Sequence, residues 1–312
     1  MVYYNKVIKQ ADTKEKIMFD VPVTFLYDFE HVSDRMRPYI MAEFAAAGAK
    51  HLVLSDTLIG EIISKPGFED TLLKEITDKG MSFCDAHAPF GPFLDLNCPW
   101  EEKRPMMLAR LQLVLEICAF MKVNTITIHL GNNHFEKGAS VSDDVHIARM
   151  KESLALLLPV AEKLGITICI ENIWFSVNTP DVLNSIKAEF PTEALGFCYD
   201  AGHANIMDNG RNYATGNAWR GWNASGKKVP LWEDRALEKM LPDVVNCHLH
   251  DNTGWNDAHK LPGTGCINWE HIIRLLKKAP RLKVVQSEVI PVVSGTYIKE
   301  LVDKFTELAE IE

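Results

Sequence analysis

The chain has 312 residues, 47% hydrophobic and 24% charged, which is enough apolar material for a large core and far from a disordered or fibrous composition. Its 33 Lys and Arg against 42 Asp and Glu leave a formal net charge of -9, without the overall basic footprint of a nucleic-acid binder. The longest apolar runs, such as LVLEICAFM at 113–121, fall short of the roughly 20 residues a membrane span needs. The polar start MVYYNKVIKQADTKEK has no apolar leader, so a cytoplasmic protein without a membrane partner is expected.

From there, short β-type runs alternate with stretches of helical period. VPVTFLY (21–27) is followed by PYIMAEFAAAG, HLVL (51–54) by TLLKEITDKG, MSFCDA (81–86) by RLQLVLEICAFM, and TITI (125–128) by HIARMKESLALLLPVAEKLG. ITICI (166–170) precedes DVLNSIKAEF, LGFCY (195–199) precedes ALEKML, VVNC (244–247) precedes WEHIIRLLKKA, and KVVQS (283–287) precedes IKELVDKFTELAE. The longer stretches place apolar residues at i, i+3, i+4 and i+7. Gly48, Gly80 and Gly165 each stand between a helix and a strand, where a positive φ is expected. Eight such units with apolar strands predict a parallel (β/α)8 TIM barrel, one domain over 1–312. No GxGxxG or Walker A loop follows the first strand, which argues against a dinucleotide fold. Residues 204–230, rich in Gly, Asn and Trp, form a long insertion after strand six and read as a lid or substrate-binding loop. The seven cysteines are scattered without a CxxC pair, as expected of buried thiols and not of a disulfide framework or zinc ribbon.

Six successive strand ends carry a residue able to bind a metal: His87, His129, Glu171, Asp200, His248 and Glu288. In a (β/α)8 barrel those ends converge on one face, so residues distant in sequence would share one small space. His203 follows Asp200 in YDAGHAN, and Asp257 with His259 form a D-x-H pair. Nitrogen and carboxylate donors without thiolates suit a divalent metal: zinc, manganese, cobalt or magnesium. Several carboxylates in one apolar-walled mouth repel each other unless a cation is present.

The motifs HAPF (87–90), TIHLG (127–131), CIENIW (169–174), CYDAGHAN (198–205), CHLHDN…DAHKLPGTG (247–265) and QSEVI (286–290) resemble, in order, those of the xylose-isomerase-like TIM barrels. That superfamily includes sugar isomerases and epimerases and the endonuclease IV type of AP endonuclease. The resemblance implies that Glu171, Asp200, His248 and Glu288 hold a divalent metal. It implies a sugar or sugar phosphate isomerase or epimerase working by proton transfer through a metal-stabilised enediolate, with Glu171 and Glu288 handling the protons. His203 would hydrogen-bond a substrate oxygen. Trp174, Trp219, Trp222 and Trp255, with Asn172, would bind a small carbohydrate substrate, and Arg211, Arg220, Lys227 and Lys228 would meet a phosphate if it carried one. The endonuclease branch implies further metal ligands at His87, His129, His203, Asp257 and His259. The chain departs from that branch in HAPFGPFLDLN, which lacks the Tyr expected shortly after the His, and in PGTG for GEG. Another metal-dependent lyase, dehydratase or hydrolase on the same scaffold, and a non-enzymatic sugar-binding or structural barrel, are the remaining alternatives. The resemblance is compatible with a homo-oligomer.

Overall fold

All eight apolar runs form strands: β1 (Val23–Phe25), β2 (His51–Leu54), β3 (Ser82–His87), β4 (Thr125–Ile128), β5 (Thr167–Glu171), β6 (Leu195–Asp200), β7 (Val244–Leu249) and β8 (Val284–Ser287). The computed structural model describes residues 20–133, 141–208 and 213–312. The strands pair in parallel in chain order, and β8 returns to β1 through Val23↔Val285, Thr24↔Gln286 and Phe25↔Ser287, which closes the barrel. Every residue of β4 to β8 is buried, as it must be when helices cover one face and side chains fill the lumen behind the other.

The covering helices are α1 (Arg37–Ala47), α2 (Asp56–Ser64), α3 (Phe68–Thr77), α4 (Arg104–Phe120), α5 (Asp143–Leu164), α6 (Pro180–Glu189), α7 (Ala201–Met207), α8 (Asn217–Ala224), α9 (Ala236–Met240), α10 (Trp269–Leu276), α11 (Pro291–Ser294) and α12 (Ile298–Ala309). None of the described helices is long and apolar enough to cross a membrane. Gly48, Gly80 and Gly165 take positive φ as predicted, and the Gly165 N–H closes α5 onto the Ala161 carbonyl.

Four helices escape the sequence pattern. Ser55 accepts a hydrogen bond from the Leu58 N–H and starts α2, whose apolar period is interrupted by Gly60. The insertion, expected to lack periodicity, contains α8, which buries Ala218, Gly221 and Trp222 at i, i+3 and i+4. The helix spans only two turns between the glycine-rich flanks of the insertion, so its period is short in sequence. Asp200 begins α7 by accepting from the His203 N–H at 2.6 Å, and α11 is a single turn after Pro291. All seven cysteines are free thiols.

Phe25 of β1 seals the seam where the barrel closes. Its ring lies 5.8 Å from Phe44 of α1 and 5.6 Å, edge on, from Phe305 of α12, so the first and last helices are joined through one strand. Phe305 is fully buried. Phe305→Ala removes this contact and leaves a cavity; urea unfolding is expected to show a loss of about 3–5 kcal/mol, and a loss below ~1 kcal/mol would refute the seam's importance.

Candidate metal centre

β5 and β6 end in Glu171 and Asp200, and Glu288 follows β8 directly. The β6–β7 register shifts between Phe197 and Cys198, which sets Asp200 opposite His248. His248 Nδ1 donates to Glu171 Oε1 at 2.8 Å and lies 3.4 Å from Glu288 Oε1 and 3.8 Å from Asp200 Oδ2. One donor atom from each of the four lies within 4.8 Å of the others, and all four residues are buried. An ion with bonds of about 2.0–2.2 Å spaces tetrahedral ligands roughly 3.3–3.6 Å apart, so these atoms need only small adjustments to hold one. Glu171 Oε2 is shut from solvent and makes no hydrogen bond; His129 Nε2 sits 3.2 Å away as an ion-pair partner only.

Burial pushes the Glu171 carboxyl up, but His248, His129 and His203 together draw it well below the usual carboxylate range. Burial and the opposing pull of His248 and His259 act likewise on Glu288, which ends low. In Asp200 burial outweighs His203 and His250, and its carboxyl is raised. Burial lowers His203, yet Asp200, Asp257 and Glu171 carry it well above an ordinary imidazole, and His259 rises to about 9 beside Asp257. Histidine protons thus balance buried carboxylates, and a divalent cation would take their place.

Ring orientation fits the same purpose. Nδ1–H of His87 donates to the Ala88 carbonyl, that of His203 to Asn172 and that of His259 to Glu288, each at 2.9 Å. The three Nε2 atoms are left to face the cavity, the arrangement expected of metal-binding imidazoles. Asp257 Oδ2 lies 3.3 Å from His203 Nε2 and 3.0 Å from His259 Nε2. The loop carrying Asp257 and His259 is pinned by Asp251, which pairs with Lys260 in a backbone bridge and accepts from Gly263 N and Trp269 Nε1. A Cβ on Gly265 would lie 2.2 Å from Asp251 Oδ1, so the PGTG segment needs glycine there. His87 joins Glu171 and His248 in a second ligand group.

His250 was not anticipated. It is fully buried, its Nε2 lies 3.2 Å from Asp200 Oδ2, 3.6 Å from Asp257 Oδ1 and 3.7 Å from Glu288 Oε2, and its ring stacks on His259 at 4.2 Å. The signal was the H-x-H spacing at the end of β7, where alternate residues share a face. A Cβ on Gly202 would lie 2.0 Å from the His250 ring, so the glycine of YDAGHAN makes its room.

Glu171, His203, Asp257, His259 and Glu288 open into a cavity of about 550 Å³ whose walls include Phe90, Ile173, Trp174 and Ile290. Of the expected aromatic walls only Trp174 lines it. Trp222 is buried against Ile206 and Met207, with Nε1 donating to the Trp174 carbonyl, and Trp219 faces Trp232. Trp255 stands outside, bonded to Thr215. Asn172 also differs from expectation: its amide donates to the Asp200 carbonyl and accepts from the Asp200 N–H, which braces that ligand from behind. Arg220 bonds Asn217 and Lys227 pairs with Asp143, both away from the cavity, as is Lys228; Arg211 lies outside the described residues.

Protonated His259 stabilises the chelator-stripped fold fully below pH 6.5, the ordinary imidazole value, and that contribution is lost as pH rises through about 9. The melting temperature of chelator-treated protein is therefore expected to fall between pH 6.5 and about 9.5. Added Zn²⁺ or Mn²⁺ should raise it most at the alkaline end, where protons no longer compete. A stripped protein that grows more stable over this window would contradict the charge balance.

Residues 39–285 match the xylose isomerase-like TIM barrel family. The uncharacterized protein MJ1311 of Methanocaldococcus jannaschii is 24% identical over 160 residues, 50% of this chain and 48% of that protein, so the match spans about half of the relative's length. Among solved structures, a D-tagatose 3-epimerase-like protein superposes with a TM-score of 0.69 at 18% identity, over 92% of this chain and 98% of that one. The 3-keto-D-glucoside 4-epimerase YcjR from E. coli gives 0.67 at 15% identity over 92% and 98%, and the IOLI protein with a bound zinc atom 0.65 at 15% over 92% and 96%. At such identities the likeness establishes the fold alone. With the family match running from α1 into β8, across five of the six strand-end positions whose side chains could bind a metal, the chain belongs to the xylose isomerase-like TIM barrel family.

Proposed function

We propose that the protein is a divalent-metal-dependent isomerase or epimerase of an open-chain, unphosphorylated sugar. The observation that carries this reading is the pair Glu171 and Glu288, set on β5 and after β8, both against His248 Nδ1 and both lining the cavity. The epimerases among the structural neighbours and the zinc-bound IOLI protein support it. A cation held by Glu171, Asp200, His248 and Glu288 would supply Lewis-acid polarisation of a sugar carbonyl and offset the charge of an enediolate. Glu171, ionised because of its histidine neighbours, would take the proton from the adjacent carbon, and Glu288 would return one from its own side. His203 would hydrogen-bond a substrate oxygen through the Nε2 edge that its Nδ1 bond to Asn172 leaves toward the cavity. Trp174 and Phe90 would exclude water from the carbon chain.

The walls favour a neutral substrate. Among the described residues the lining contains Asp28, Glu30, Asp56 and Asp95 beside the centre and no Lys or Arg. A phosphate or a nucleic-acid backbone would meet that field without a partner. The observation favouring a second reading, an AP endonuclease, is the additional ligand sets around Asp257 and His87, which would accommodate more than one ion.

Incubation of metal-loaded protein in D₂O with unphosphorylated ketoses and with sugar phosphates is expected to show deuterium uptake by the neutral sugars. Glu171→Gln and Glu288→Gln should each cut that exchange about 10²–10⁴-fold. Nicking of an abasic oligonucleotide without any exchange would sink the isomerase reading.

A further inference from the structure

His87, His203 and His259 have their tautomers set by backbone carbonyls, whereas His248, the innermost ligand candidate, meets side chains instead. Its Nε2 lies 3.2 Å from Thr127 Oγ1. Thr127 also accepts from Asn246 Nδ2 at 3.2 Å, and the same amide group donates to Asp85 Oδ2 at 2.8 Å. Thr125 Oγ1 donates to the other oxygen, Asp85 Oδ1, at 2.7 Å. Asp85, Thr125, Thr127, Asn246 and His248 are all fully buried in the lumen, on β3, β4 and β7. The proton-transfer reading gives Asp85 no task, and a carboxyl there needs one: burying it costs several kcal/mol unless its bonds are made.

The direction of the bonds supplies the task. An ionised carboxylate only accepts, so Asn246 must turn its NH₂ toward Asp85; the flipped amide would set its carbonyl against the carboxylate. The second N–H of that group then points at Thr127 Oγ1, which keeps a lone pair for His248. The negative end of the chain favours a proton on His248 Nε2, so that once a cation displaces the proton that Nδ1 gives to Glu171, the neutral imidazole keeps Nε2–H and presents a bare Nδ1 to the cation. We propose that Asp85 is a positioning residue for the metal centre, acting through Asn246 and Thr127 to hold His248 as the tautomer whose Nδ1 can bind a cation. The proposal rests on the metal-centre reading above, and its test separates the two.

The test measures Zn²⁺ affinity by chelator competition for the wild type and for Asp200→Asn, Asp85→Asn, Thr127→Val and Thr127→Ser. Asp85→Asn and Thr127→Val are each expected to weaken binding about 10–100-fold, while Thr127→Ser, which keeps the hydroxyl, stays near the wild type. The Asp85→Asn, Thr127→Val double variant should lose no more than Thr127→Val alone, because both act through one chain. In ¹⁵N-histidine spectra of the zinc-loaded wild type, His248 should carry its proton on Nε2. Urea midpoints check folding, and if Asp85→Asn fails to fold, the near-isosteric Thr127→Val and its serine rescue decide alone. Unchanged affinity in Asp85→Asn and Thr127→Val, additive losses in the double variant, or a proton on Nδ1 would overturn the inference. If the wild type binds no Zn²⁺, or Asp200→Asn binds it undiminished, the metal-centre reading itself fails.

Discussion

Three buried carboxylates, Glu171, Asp200 and Glu288, are gathered around one imidazole nitrogen, and the rest of the mouth is arranged to compensate for that. An unpaired charge in such a place is more costly than a domain's net stability can absorb. The presence of His129, His203, His248 and His259 around it, each raised against the effect of burial by neighbouring carboxylates, follows from this constraint. Imidazoles are the side chains that can supply positive charge as protons and then release those protons to a metal near neutral pH. Arginines would balance the carboxylates permanently and close the site to a cation.

The barrel makes this concentration of charge tolerable by taking each group from a different strand. Two titratable groups share one side of a strand at β3, with Asp85 and His87, and at β7, where His248 and the post-strand His250 are two residues apart. Beneath the mouth the lumen is also polar, with Thr24, Asp85, Thr125, Thr127, Asn246 and Gln286 fully buried among the strands. A purely apolar lumen would pack more simply. The polar one gives His248, the innermost candidate ligand, a hydrogen-bonding partner from below in Thr127.

The barrel was legible in the sequence because eight apolar runs each preceded a helical period, and the gathering of His and carboxylate side chains was legible because a strand's last residues must reach the mouth. His250 was missed because one residue per strand end was considered, although period-two alternation makes the i+2 neighbour its companion. The tryptophans show a different limit. Trp219 and Trp222 sit on α8, and which face of a short inserted helix turns inward depends on the helix it meets, here α7, not on its own composition. Asn172 stands beside a ligand in sequence, yet its side chain turns to the backbone of Asp200, since successive residues along a strand point to opposite sides. Its amide fixes the start of α7 and thereby aims both Asp200 and His203.

Ligand types alone do not separate proton transfer on a sugar from attack on a phosphodiester, because both chemistries use histidine and carboxylate around divalent ions. What separates them is the field beyond the ligands. A cation bound by three carboxylates and one neutral histidine leaves a centre with net negative charge, and Asp28, Glu30, Asp56 and Asp95 add to it along the walls. An anionic substrate entering that cavity finds no Lys or Arg among the described lining residues, whereas a sugar's hydroxyls find acceptors and its carbon chain finds Phe90, Ile173 and Trp174. The acidity of the whole chain, -9 overall, thus has a local counterpart where it bears on chemistry. On the proposed reading, that field would suit cations and neutral polyols, with Glu171 and Glu288 placed at the cavity where protons would have to move.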